Sequence, residues 1–160
     1  MKRMAQILVV ANRTALSSDL ERVMRARVAR GPARFTLLVP MASGSGADWI
    51  AGRMAASLRD LGLDVEWVVG DADPLQAVRD TWATERFDEV IVSTLPAASS
   101  RWMIAGLLHQ IEHHTGGRVS HVEAGAKRDL RRQTRDGRSR REAARVTAGR
   151  GAARKAGHSA

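Results

Sequence analysis

The sequence contains no cysteine and no long apolar segment. The absence of cysteine excludes disulfide bonds, zinc sites built on thiolates and cysteine nucleophiles. No segment approaches the roughly 20 consecutive apolar residues that cross a bilayer. The first residues are basic, but the apolar run that follows is shorter than the roughly 7–15 residues of a signal peptide core. We therefore expect a cytoplasmic protein without a membrane span.

Acidic residues are scarce only toward the C-terminus. Residues 1–125 hold 14 basic and 14 acidic side chains, whereas residues 126–160 hold 12 basic and three acidic ones, so the formal charge of +9 belongs to the second segment. That segment has only Leu130 and Val146 as aliphatic residues larger than alanine, and no aromatic. Such a composition buries too little apolar surface to offset the entropy of folding. We predict a neutral domain over residues 1–125 and a basic, largely disordered tail over residues 126–160.

Short apolar runs alternate with segments of helical spacing in the neutral domain. The runs cover residues 7–11, 35–39, 65–69 and 87–92, and a more polar fifth run covers residues 118–123. Runs of this length between helices are typical of parallel strands in βαβ units. The right-handed connection of such units leads to a three-layer α/β sandwich. We predict five parallel strands and four helices in a flavodoxin-like or Rossmann-like fold, with the polar fifth strand at an edge or an interface.

Capping residues and apolar spacing delimit the helices. Ser17, Ser18 or Asp19 can cap the first helix, and Asp73 with Pro74 begins the third after a turn that contains Asp71. The fourth helix is expected from about residue 100 to residue 114. The second helix is expected to bury an apolar stripe of Trp49, Ile50, Met54, Leu58 and Leu61. We expect the tryptophans at positions 49, 67, 82 and 102 to be core residues or partly buried anchors.

Small polar clusters follow three of the predicted strands, at residues 12–14, 70–71 and 93–94. Open parallel sheets bind ligands where the carboxyl ends of their strands deliver polar residues to one crevice. This edge of the sheet is therefore the expected position of a ligand site.

The segments around these clusters resemble the universal stress protein family. Residues 7–12 are similar to that family's first strand and loop, residues 70–78 to its Gly-Asp segment before the third helix, and residues 87–94 to its fourth strand. The resemblance covers about residues 5–124. It implies the sheet order 3-2-1-4-5, which places the ends of the first and fourth strands side by side. It also implies a role linked to stress response and a homodimer, which some members form through the fifth strand.

The glycine-rich loop of the family's nucleotide-binding members is largely absent. Their Gly-x2-Gly-x9-Gly-Ser/Thr pattern falls here on Ser93, Pro96, Gly106 and Leu107, so that one glycine remains. Glycines let backbone N–H groups approach phosphates, whereas proline has no N–H group. The acidic residue that members often carry after the first strand is Asn12 here. These departures imply that ATP or another adenine nucleotide is bound weakly or not at all.

Other hydrogen-bond donors remain in the same loop, between Ser93 and Gly106. They can hold a small anionic ligand in a different geometry, or they can simply cap the fourth helix. We predict a non-catalytic regulatory or small-ligand-binding domain rather than an enzyme. Its candidate ligand-binding residues are Ala11, Asn12, Val39, Ser93, Thr94, Ser99, Ser100, Arg101 and Gly106.

Residues 109–113 spell His-x-x-Glu-His, which is the inverted zinc-protease motif. Leu107 and Ile111 belong to the predicted buried face of this helix, so His109 and His113 fall on roughly the opposite side. No third ligand is evident in the sequence. We therefore interpret the two histidines as a solvated or interface surface rather than a metal site.

A nucleic-acid-associated protein is the alternative hypothesis, because residues 127–155 form a dense basic run. Such runs bind polyanions and acidic surfaces by releasing counterions. This hypothesis predicts DNA binding that weakens steeply between about 50 and 200 mM salt, as measured by fluorescence anisotropy. The binding should disappear when residues 126–160 are deleted. Salt-independent binding, or binding by the shortened chain, would exclude the hypothesis.

Overall fold

Strands and helices alternate along the chain. The computed structural model describes residues 2–42, 44, 46–96 and 106–125. Its elements are β1 (Ala5–Val10), α1 (Ser18–Ala29), β2 (Ala33–Pro40), α2 (Ala47–Asp60), β3 (Val65–Gly70), α3 (Pro74–Thr84), β4 (Glu89–Thr94), α4 (Leu107–Thr115) and β5 (Arg118–Glu123). The five strands form one parallel sheet in the order β3-β2-β1-β4-β5. The predicted α/β fold and the strand order that the resemblance implied are confirmed.

The central strand β1 is buried on both faces. Its residues Ile7 and Val9 belong to an apolar cluster that includes side chains of α1 and α2, whereas Leu8 and Val10 belong to a second cluster with side chains of α3 and α4. The helices therefore form two outer layers, α1 with α2 and α3 with α4. This arrangement explains why the strand reads as a continuous apolar run rather than an alternating one.

Two helix starts follow the sequence prediction. The Ser17 side chain accepts a hydrogen bond from the Leu20 backbone N–H at 3.2 Å, and the Asp73 side chain accepts one from that of Leu75 at 3.0 Å. Pro74 is the first residue of α3, where its missing N–H group costs no helical hydrogen bond. The Asp71 side chain accepts from the Asp73 N–H at 2.8 Å. A turn followed by a helix cap thus accounts for both aspartates.

The stripe predicted for α2 is wrong in three of its members. Trp49, Ile50 and Leu61 are exposed, and the Arg53 guanidinium lies 5.4 Å from the centroid of the Trp49 ring. The buried residues of this helix are Ala47, Ala51, Ala55 and Leu58. Residues four apart share a helix face, and small side chains let that face approach a sheet with bulky residues. The prediction gave too much weight to the size of the side chains and too little to the alanine spacing.

The other tryptophans divide into two groups. Trp67 and Trp82 are partly buried and pack against the two apolar clusters, as predicted, whereas Trp49 is 68% exposed and is not an anchor. Trp102 lies outside the described residues, as do the expected first residues of the fourth helix and the whole of residues 126–160. The boundary between domain and tail therefore stays a prediction. No helix in the described part has the length and apolarity needed to cross a membrane.

Gly70, the last residue of β3, is required by close packing. A Cβ atom built at this position would lie 2.7 Å from the Ala77 Cβ of α3 and 2.8 Å from the Leu38 Cδ1 of β2. Because the Ala77 Cβ is fixed to the backbone of α3 and cannot rotate away, Gly70→Ala should lower the free energy of unfolding by about 1–3 kcal/mol in urea titrations.

Gly52 supplies the matched control for this substitution. It lies inside α2, and an added Cβ would meet Trp67 only at 3.4 Å. Gly52→Ala should therefore leave the stability unchanged or raise it by up to about 1 kcal/mol through helix propensity. Equal effects of the two substitutions would contradict this account of Gly70.

Candidate functional site

The carboxyl ends of β1 and β4 lie side by side. β1 pairs with β2 on one side and with β4 on the other, and Val10 at the end of β1 is opposite Val92 of β4. The strand order reverses at this point, because the chain proceeds from β1 outward to β3 and then returns to the other side of β1. A crevice for a ligand forms at such a switch point. The structure therefore brings together the polar clusters after β1 and β4, where the sequence predicts a ligand site.

Asn12 lies just beyond β1 and reaches the end of β2. Its Nδ2 donates a hydrogen bond to the backbone oxygen of Pro40 at 2.8 Å. Because a backbone carbonyl only accepts, the amide nitrogen must face Pro40 and Oδ1 must face away. Within the described residues Oδ1 has no hydrogen-bond partner, and Asn12 is half-buried. The side chain thus offers an acceptor to a donor such as a ribose hydroxyl or the amino group of a base.

Ser93 is tied to the loop after β1. Its Oγ donates a hydrogen bond to Thr14 Oγ1 at 2.7 Å, and the two residues are only 1% and 5% exposed. The bond connects β4 to residue 14 across 79 positions of sequence. Sequence reasoning noticed Thr14 only as part of a polar cluster, since nothing in the local pattern identifies its partner. The Ser93 hydroxyl is therefore occupied within the protein.

Thr94 is tied to β5. Its Oγ1 lies 2.7 Å from His121 Nε2, and its backbone oxygen accepts a hydrogen bond from the Ala124 N–H at 2.9 Å. Thr94 is 3% exposed, whereas His121 is half-buried. The sequence analysis did not include His121 among the site residues. The available signal was a polar residue on a strand that ends at the same edge as β4.

The remaining candidates divide into buried and exposed positions. Ala11 and Val39 are fully buried, so they lie beneath the edge of the sheet and expose no surface. Gly106 is exposed and precedes α4 with φ of 66°, a left-handed conformation that favours glycine whether or not a phosphate binds. Leu107 is buried in the core. Ser99, Ser100 and Arg101 lie outside the described residues.

Of two arginines near the ends of the strands, one lies beside the candidate site and the other at the opposite edge of the sheet. Arg13, directly after Asn12, is exposed and was not predicted as a site residue. Arg34, near the start of β2, pairs with Asp64 at 3.1 Å at the opposite edge of the sheet. The hydrogen bond to Asp64 and the charge of that carboxylate raise the pKa of Arg34, and this exposed pair lies away from the candidate site.

His109 and His113 are both exposed on α4, in the position predicted for them. Leu107 and Ile111 of the same helix are buried. In the part of the chain that the structure describes, no group of three or more histidine, aspartate or glutamate side chains could hold a metal ion.

Solved structures share this topology. A universal stress protein in complex with cAMP superposes with a TM-score of 0.54 and 17% identity, covering 77% of this chain and 99% of its own. The universal stress protein from Archaeoglobus fulgidus superposes with a TM-score of 0.50 and 14% identity, covering 76% and 100% of the two chains. This is the universal stress protein fold. The sequence matches no protein-family model, and no curated protein matches it significantly.

The universal stress protein fold therefore rests on topology rather than on sequence identity. The resemblance seen in three short segments led to the correct strand order although 14–17% of aligned residues are identical. At this identity the likeness establishes how the chain folds, and the ligand of a neighbour remains a property of that neighbour.

The Ser93–Thr14 bond should contribute measurably to stability. Ser93→Ala leaves the buried Thr14 hydroxyl without its donor, so the free energy of unfolding should fall by about 1–2 kcal/mol in urea titrations. Ser57→Ala is the control, because the Ser57 hydroxyl donates to the Arg53 backbone oxygen on the exposed side of α2. The control should change stability by less than about 0.5 kcal/mol. A Ser93→Ala protein as stable as the control would show that the bond is not structural.

Proposed function

We propose that the chain is a non-catalytic regulatory domain that binds a small ligand at the carboxyl ends of β1 and β4. The observation that carries the proposal is the unpaired Oδ1 of half-buried Asn12, held at the switch point by the bond from Nδ2 to Pro40. A ligand with hydroxyl or amino donors satisfies this acceptor. The universal stress protein solved with cAMP provides an example of the same fold with a nucleotide bound.

The residues that align with the family's glycine-rich phosphate-binding loop differ from it here. The Ser93 hydroxyl is engaged with Thr14, Leu107 is buried and lacks a hydroxyl, and Pro96 lacks an N–H group. Among the four aligned positions only residue 106 is a glycine, and its positive φ explains why glycine is favoured there. An anionic group must therefore be held by other donors. On this basis we expect adenine nucleotides to bind weakly or not at all, and a different small anion to be an alternative ligand.

The described hydroxyl groups of the site favour binding over catalysis. Ser93 faces another hydroxyl instead of a base, and Thr94, although it lies beside an imidazole, is 3% exposed. A nucleophile needs both an adjacent base and access to its substrate. ATP incubated with magnesium at pH 7 should accordingly yield no product, and turnover would contradict the proposal.

Asn12→Ala tests the site directly. The purified protein is first denatured and any released small molecule identified by mass spectrometry, and ATP, ADP, AMP and cAMP are then titrated by calorimetry. For a ligand that binds, the variant should lose about fivefold in affinity, since one hydrogen bond contributes on the order of 1 kcal/mol. Gln76→Ala is the control, because its amide is exposed on α3 and bonded to Asp80.

The outcomes separate the possibilities. Tight ATP binding that Asn12→Ala abolishes would show that the altered loop has not weakened the site. If Asn12→Ala and Gln76→Ala bind the ligand with equal affinity, the ligand does not contact Asn12. Absence of any bound or titrated ligand would overturn the proposal and leave dimer or partner surfaces as the functional part of the domain.

A further inference from the structure

The strand β3 lies at one edge of the sheet, and part of its backbone has no partner. The backbone oxygens of Asp64 and Gly70 accept hydrogen bonds from the side of β2, at 2.9 and 3.3 Å. Since successive residues of a strand direct their backbone groups to opposite sides, the even-numbered residues of β3 face β2 and the odd-numbered ones face away. Trp67 and Val69 therefore present their N–H and carbonyl groups outward, and these four groups have no partner among the described residues.

The helix α2 lies beside this edge and closes its amino end. Arg59 Nε donates a hydrogen bond to the Val65 backbone oxygen at 2.6 Å. Gly52 of the same helix lies against the Trp67 ring, since a Cβ built on it would be 3.4 Å from that ring. Residues 49, 52 and 59 share one helix face by their spacing, so Trp49, which is 68% exposed, lies on the side of α2 next to β3. An exposed tryptophan therefore adjoins the free backbone groups.

We propose that a second copy of the chain pairs with this edge, β3 against β3 in antiparallel orientation, with Trp67 opposite Val69 of the second copy. In this register Trp67 exchanges two hydrogen bonds with that valine, and the two-fold axis repeats the pair, so all four free groups are used. Val68, which is 39% exposed, lies on the axis opposite its own copy. The Val65 carbonyl keeps its bond to Arg59. Aromatic and β-branched side chains in opposite positions also stabilise antiparallel strands.

Complementary charge favours a second copy as the partner. The register puts Val65 opposite Asp71 of the second copy, so the Arg59 guanidinium at the Val65 carbonyl lies next to that carboxylate. The two-fold axis produces two such pairs of opposite charge. Glu66 is the one charged residue of β3, and it lies opposite Gly70 of the second copy. Like charges therefore do not face each other across the contact, which would destabilise it.

The β5 edge at the other side of the sheet is more polar. Arg118, Ser120 and Glu123 are exposed there, whereas the open stretch of β3 consists of tryptophan and valine. Charged side chains protect an edge strand from pairing, and an apolar edge favours it. A contact through β3 differs from the fifth-strand dimer of some universal stress proteins, and it does not depend on the small-ligand site proposed above.

Disulfide trapping tests the register, because the chain has no cysteine of its own. In Val68→Cys the two thiols lie on the axis in a non-hydrogen-bonded pair, whose Cα atoms are about 4.5 Å apart, within the span of a disulfide. Oxidation of the full chain should therefore yield a covalent dimer on a non-reducing gel. Glu66→Cys, at an exposed position opposite Gly70, should stay monomeric, and so should Val28→Cys, whose position on α1 is 41% exposed.

Sedimentation equilibrium of the full chain measures the dimer without a cross-link. Val68→Lys brings two like charges together on the axis, so the dissociation constant should rise at least about tenfold. Val28→Lys makes the same change at similar exposure on α1 and should leave the dissociation constant unchanged, as should Ser120→Lys on β5. Arg59→Glu should weaken the dimer about fivefold, the effect of losing two exposed ion pairs, and Asp71→Arg added to it should restore the affinity.

Three results would overturn the β3 contact: a full chain that stays monomeric at every concentration, a cross-link through Glu66→Cys instead of Val68→Cys, or dissociation by Ser120→Lys instead of Val68→Lys. Circular dichroism establishes that each variant is folded. If Val68→Lys does not fold, the cysteine variants decide, because Val68→Cys changes the side chain least. The nucleotide titrations with Asn12→Ala decide the ligand site separately, so failure of one proposal is distinct from failure of the other.

Discussion

The parallel pairing of β1 with β4 is the constraint on which the candidate site depends. β1 is the first strand of the chain, yet it lies at the centre of the sheet with neighbours on both sides and apolar clusters on both faces. Such a position buries Ile7–Val10 completely, and hydrophobic burial is the main favourable term in folding. The strand that stabilises the fold is therefore also the strand that brings two distant polar loops to one edge.

Side-chain hydrogen bonds then fix those loops to each other. Ser93 is bonded to Thr14, Asn12 to Pro40, and Thr94 to His121, so the ends of β1, β2, β4 and β5 are linked. Each bond joins residues at least 27 positions apart. Buried polar groups are costly unless they are paired, so these residues hold defined orientations. The ends of these strands are consequently preorganised, and Oδ1 of Asn12 remains there without a hydrogen-bond partner among the described residues.

Several residues that align with the family's glycine pattern have structural roles in this chain. Leu107 contributes to the core, Gly106 adopts a left-handed conformation, and Ser93 holds the loop after β1. Three of the four residues that align with the family's glycine pattern thus have structural roles in this chain. A fold can keep its architecture while the residues of a binding loop are reassigned, because function depends on the site and not on the fold alone.

The sequence by itself determined the fold class, the strands and their approximate bounds, and the cap at Asp73, and it limited the cap of the first helix to Ser17, Ser18 or Asp19. These features depend on local physics: apolar runs, capping side chains and the shared direction of parallel strands. The alanine face of α2 was missed because side-chain size outweighed spacing, and Trp49 was misplaced for the same reason. Thr14 as a partner of Ser93, and His121 as a partner of Thr94, were decided only by the tertiary structure. Their bonds join segments far apart in the chain, and local sequence carries no record of which distant side chain will complete a hydrogen bond.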